Sequence, residues 1–161
     1  MKKLSLAAVA LTMAVPTLAS GFTVENCMIR ETIPGATTSA AYFDLHYDNS
    51  VVEKYRIPDL ELVQRIEVPT LTDRPEIHNV RNENGTMSMF QIPSIPVRQP
   101  LIQLKPGGLH GMLMDLKQPA KAGEVYDLTV MFAFHPDVHC QAKVLPVAAI
   151  PAHYPAAASV T

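Results

Sequence analysis

His78-Asn79-Val80-Arg81-Asn82-Glu83-Asn84-Gly85-Thr86-Met87-Ser88-Met89-Phe90-Gln91 reads as one β-hairpin, and its register organises the rest of the chain. Asn84-Gly85 is the strongest two-residue turn signal, because both central residues of such a turn need positive φ, which Asn and Gly adopt most cheaply. Pairing outward from that turn sets Glu83 against Thr86, Asn82 against Met87, Val80 against Met89 and His78 against Gln91. Side chains two residues apart along a ladder share a face, so His78, Val80, Met87 and Met89 are expected on one side. His78 and Met89 then become diagonal neighbours, roughly 7–8 Å apart at the backbone, a gap their side chains can bridge to one ion.

Working outward, the segments 40–47, 60–68, 76–80, 87–92, 101–104 and 125–134 are short, rich in Val, Ile, Leu and aromatic residues, and separated by Pro, Gly, Asn and Asp. That spacing predicts an all-β sandwich or barrel. Alternation is clearest in the last segment, where Tyr126, Leu128, Val130, Phe132 and Phe134 are expected on one face and Asp127 and Thr129 on the other. No segment carries a helical period, and 14 prolines argue against long helices. Beyond Val147 the chain turns Ala- and Pro-rich with little to pack, so a mobile tail is expected over 148–161.

Met1-Lys2-Lys3 and the apolar run from Leu4 to Leu18 have the charged start and short hydrophobic middle of a secretory signal, with Thr17-Leu18-Ala19 as the cleavage site. Removal of 1–19 leaves about 140 residues, enough for one domain (20–147) and too few for two ordinary ones. No cysteine sits at the junction to carry a lipid, and no apolar run reaches the roughly 18 residues of a transmembrane helix. An exported, soluble protein of a bacterial periplasm is expected, without stable membrane insertion. The net charge of −2 falls to about −4 without Lys2 and Lys3, and the remaining basic residues are scattered, which argues against a nucleic-acid partner. In an oxidising compartment Cys27 and Cys140 are expected to form one structural disulfide, with free buried thiols as the alternative.

The chemistry sits in the hairpin and in Gly107-Gly108-Leu109-His110-Gly111-Met112-Leu113-Met114. If the second stretch is extended after its glycines, His110, Met112 and Met114 share a face. Each element then offers a histidine and at least one methionine. Imidazole nitrogen and thioether sulfur are borderline to soft ligands, and a site built only from them selects monovalent copper over zinc or magnesium. Thioethers also suit an oxidising compartment, since they form no disulfides and need no deprotonation to bind. Other candidates have plainer roles: Met114 and Met131 as packing, His46, His135 and His153 as structural or solvated, with Met87 open between packing and ligation. His139 beside Cys140 suggests a second site only weakly, because adjacent strand residues point to opposite faces.

No Gly-x-Ser-x-Gly, Cys-x-x-Cys, paired-carboxylate or phosphate-loop signature supplies a catalytic group, so an enzyme is not expected. A blue-copper electron carrier needs a cysteine thiolate with two histidines, and neither cysteine has those companions nearby. A non-metal exported β-sandwich, acting as an assembly or adhesion module, is the remaining alternative.

His78, ten residues, Met89, about twenty residues and then His110-Gly111-Met112 resembles the pattern of the PCuAC-type periplasmic copper chaperones. The likeness covers most of the mature domain and includes Pro34 to Tyr42, Asn84 to Met89, and Leu104 to Met114 followed by Leu116-Lys117. The resemblance implies an all-β, cupredoxin-like Greek-key β-sandwich carrying one Cu(I), with His78, Met89, His110 and Met112 at the ligand positions. It also implies copper delivery to the CuA centre of cytochrome oxidase, alongside Sco-type proteins. Two features depart from the pattern: Asn79 stands where some relatives place another methionine, and the interval from Met89 to His110 is one residue short.

Overall fold

The computed structural model describes residues 21–48 and 61–154. The signal-peptide expectation for 1–19 therefore lies outside the described residues, as does the end of the tail from 155. Ten strands follow in order: β1 (Phe22–Arg30), β2 (Ser39–Tyr47), β3 (Glu61–Glu67), β4 (Arg74–Glu83), β5 (Thr86–Ile92), β6 (Ile95–Val97), β7 (Leu101–Leu104), β8 (His110–Met114), β9 (Val125–Phe132) and β10 (Val138–Leu145). A single helical turn, α1 (Ile150–His153), comes last. Among the described residues no helix is long and apolar enough to cross a membrane.

The strands form one hydrogen-bonded sheet in the order β5-β4-β8-β2-β1-β10-β9-β3-β6, with β7 on the second half of β2. All pairs are antiparallel except β1 with β10. The sheet rolls over so that β3, near one end, packs against β4, near the other. The two layers approach closely at Gly111 of β8, where a Cβ would lie 3.2 Å from Ile66 Cγ2 of β3. Between the layers Phe43, Leu45, Val63, Ile66, Leu104, Leu113, Leu128 and Val130 are fully buried. Each side chain of that size contributes about 1.5–3 kcal/mol by leaving water.

The hairpin has the register read from its turn: Glu83 pairs with Thr86, Asn82 with Met87, Val80 with Met89 and His78 with Gln91. Asn84 and Gly85 both have positive φ, 53° and 82°. Three strands escaped the sequence reading. β6 has only three residues, and β1 is broken by a bulge at Asn26 and Cys27 that spoils its alternation. The third, β10, carries polar residues at alternate exposed positions, and its apolar face was too sparse to stand out.

Two expectations need correction. Phe134 does not continue the buried face of β9, because the strand ends at Phe132 and Phe134 is 60% exposed in the following bend. Within the expected tail, the described part 148–154 does find something to pack on: Ile150 is buried with Met28, Ala40 and Tyr42, and Tyr154 leans on the same cluster. This second, smaller core covers the outer side of β2, and Ser39–Leu45 is buried throughout. Cys27 and Cys140 are joined in a disulfide across 113 residues of sequence, linking the neighbouring strands β1 and β10.

Candidate metal centre

β4 lies between β5 and β8, so the hairpin and the His-Gly-Met strand, separate in sequence, stand side by side. His78 pairs directly with His110, Glu76 with Met112 and Arg74 with Met114. Directly opposed residues on antiparallel strands point to the same side. The inner side holds Ile77, Gly111 and Leu113, packed into the core. His78, His110, Met112 and Met89 therefore share the outer side, with Met89 one register step away on β5 opposite Val80.

The imidazole rings of His78 and His110 have centroids 5.8 Å apart and are tilted by 52°. With metal–nitrogen bonds of about 2.0–2.1 Å, two imidazoles on one ion place their centroids roughly 5–6 Å apart. His110 is buried, with the ring of Tyr42 at 6.3 Å on its other side. Burial holds its pKa below the ordinary histidine value, and nearby His78 and Arg30 push the same way against the opposing hydrogen bond to Gly108. That direction favours the neutral ring, the form in which imidazole binds a metal.

Each ring has one nitrogen engaged. His110 Nδ1 lies 2.9 Å from the carbonyl of Gly108. A carbonyl only accepts, so Nδ1 carries the proton and Nε2 keeps its lone pair. His78 Nε2 lies 2.8 Å from Glu76 Oε2, while its Nδ1 is buried with no hydrogen-bond partner among the described residues. Glu76 is held in turn by Arg74, which also reaches Asp115 at 2.8 Å. The hydrogen bond from His78, aided by Arg74, keeps the Glu76 carboxyl below its ordinary pKa and hence ionised.

Met112 is half-buried, whereas Met89 and Met87 are 54% and 60% exposed. The Met87 methyl reaches toward Gly107 at the start of the loop before His110. Among the described residues no three His, Cys, Asp or Glu side chains are grouped to hold a metal ion. The donors on this face are two imidazoles and thioethers, a set that fits a soft monovalent ion and fits zinc or magnesium poorly. His139 bonds to Thr129 on the far strands and His135 to Glu61, both away from this face. Sequence reasoning missed Glu76, although its place two residues before His78 on one strand was a usable signal. The direct pairing of β4 with β8 had no such signal.

The architecture is that of the PCuAC domains, cupredoxin-like β-sandwiches. The copper-bound PCuAC domain from PmoF2 superposes with a TM-score of 0.60 at 15% identity, covering 78% of this chain and 93% of that one. The apo PCuAC domain from PmoF1 gives 0.56 at 18%, covering 77% and 92%. Cu(I)-loaded DR1885 from Deinococcus radiodurans gives 0.55 at 24%, covering 82% and 80%. Residues 22–144 match the LpqE-like family, described as "Putative lipoprotein LpqE-like", and the chain belongs to that family. No curated protein matches it.

Proposed function

We propose that this protein is an exported copper chaperone that binds one Cu(I) through His78, Met89, His110 and Met112. The observation that supports the reading is the placement on one outer face of two imidazoles, their ring centroids 5.8 Å apart, with two methionines at neighbouring register positions. Similar domains are known in copper-bound form, which supports the same metal. The exposure of Met89 suits a carrier, since a ligand at the surface can be exchanged stepwise for one from an acceptor. The acceptor implied by the family resemblance is the CuA subunit of cytochrome oxidase, with a Sco-type protein as companion, reached in the periplasm after removal of residues 1–19.

The test is competition for Cu(I) against a chromophoric chelator under anaerobic conditions, with stoichiometry read from the chelator's lost absorbance. One Cu(I) per chain is expected, with Zn(II) failing to displace it. No depletion beyond that by a His78→Ala/His110→Ala control, or displacement by equimolar Zn(II), overturns the reading. Copper content after mixing the loaded protein with a CuA domain and separating the two tests delivery.

A further inference from the structure

We infer that the two histidines face the metal through different nitrogens, His78 by Nδ1 and His110 by Nε2, and that Glu76 is the positioning residue that imposes this choice on His78. The inference deepens the copper reading above and rests on it. It starts from acceptor chemistry. Glu76 Oε2, 2.8 Å from His78 Nε2, is a carboxylate oxygen and can only accept, so Nε2 carries the ring proton. In the neutral ring that leaves the lone pair on Nδ1, the atom that is buried without a partner among the described residues. At His110 the roles are reversed, because the Gly108 carbonyl takes the proton at Nδ1.

The reversal follows from the strands. His78 and His110 are directly opposed, and their partners come from different places: Glu76 from the preceding same-face position of β4, and Gly108 from the loop entering β8. Glu76 is itself fixed from the far side by Arg74. The carboxylate–imidazole arrangement fixes ring orientation and raises ligand basicity, and losing such an outer partner typically costs 10–100-fold in metal affinity.

The experiment uses the full chain with ¹⁵N-labelled histidine and long-range ¹H–¹⁵N correlation spectra, where protonated and bare ring nitrogens differ widely in shift. In the apo protein near pH 8, His78 is expected with its proton on Nε2 and His110 with its proton on Nδ1. On Cu(I) loading the resonances that move most should be His78 Nδ1 and His110 Nε2. Glu76→Ala should mix the His78 tautomers and lower Cu(I) affinity 10–100-fold. Glu76→Gln keeps an acceptor oxygen and should restore the tautomer and most of the affinity. A wild-type His78 protonated on Nδ1, or copper-induced movement at His78 Nε2, overturns the inference without touching the chaperone reading. Absence of Cu(I) uptake by the wild type instead overturns the function, and with it the ligand assignment.

Discussion

Glu61 and His135 meet at 2.8 Å through Oε2 and Nδ1, and Glu76 and His78 meet at 2.8 Å through Oε2 and Nε2. Both histidines leave their other ring nitrogen buried and without a partner among the described residues. The surroundings differ. The other oxygen of Glu61 accepts the backbone N–H groups of Leu62, Ala133 and Phe134, tying the end of β9 to the start of β3. His135 stands edge-on to Phe22, within the stack that Phe22 makes with Tyr47 and Phe132. His78 faces a second imidazole on a strand that also carries Met112. An orphaned imidazole nitrogen is thus not by itself a metal site. Other donors must converge on it, and around His135 the neighbours are aromatic rings and saturated backbone.

The sharpest way to break this comparison is Glu61→Ala. The substitution leaves His135 without its partner and three backbone donors without an acceptor, all in a region where Glu61 and His135 are 3% and 5% exposed. Removing one member of a buried pair costs about 3–5 kcal/mol. Urea unfolding should show that loss at unchanged m-value, while Cu(I) affinity of the folded fraction stays within about twofold of wild type. A stability change below about 1 kcal/mol, or a parallel loss of copper, would erase the distinction between the two pairs.

Met89→Leu and Met112→Leu probe the other side. Near-isosteric apolar exchanges cost less than about 1.5 kcal/mol in folding, and exposed Met89 should sit at the low end. Their cost in Cu(I) affinity should be at least the 10–100-fold seen for lost outer-shell partners. Melting temperature and chelator competition on the same samples separate the two effects. Copper affinity unchanged by either substitution would remove the thioethers from the site.

Gly111→Ala is expected to be milder and to touch both properties. A Cβ there would sit 3.2 and 3.3 Å from two carbons of fully buried Ile66 and 3.5 Å from Ala41 Cβ. Crowding of this kind costs about 1 kcal/mol or a little more, partly offset by the strand preference of alanine over glycine. Because β8 must shift to relieve it, Cu(I) affinity should fall by less than tenfold, and Ile66→Val in the same chain should recover part of both losses.

The hairpin was legible because turn chemistry is local: Asn84-Gly85 fixes a register that carries His78 and Met89 to one face. The alternation of Tyr126, Leu128, Val130 and Phe132 gave β9 for the same reason. What could not be read was long-range. That His78 faces His110 depends on β4 pairing with β8, about thirty residues downstream, and no periodicity encodes a non-local neighbour. Resemblance to a family supplied the proposed ligand set, but not Glu76 or the ring nitrogens, which depend on side-chain geometry. Ile150 was misjudged because its partners, Met28 and Tyr42, lie on strands whose second face had no visible claim to be covered.

Glu124 supplies a third carboxylate and the smallest expected effect. Its Oε2 accepts the backbone N–H of Lys121 and the hydroxyl of Tyr126, at 2.9 and 2.7 Å, in the turn that enters β9. Those two hydrogen bonds, the backbone one foremost, lower its pKa from 4.5. The donors resemble those of Glu61, but the group is partly exposed, so water screens and replaces what they give. The sign follows from linkage: a carboxylate with a depressed folded pKa adds stability above its unfolded value and loses that contribution as pH falls through the folded pKa. Glu124→Gln should therefore be slightly less stable than wild type at pH 6–7, and the gap should close as the pH drops below about 4.5. Melting curves of the two proteins across that range measure it. A gap as large as that of Glu61→Ala, or one that widens on acidification, would mean that the number of donors, and not their exclusion from water, decides what a carboxylate contributes to this fold.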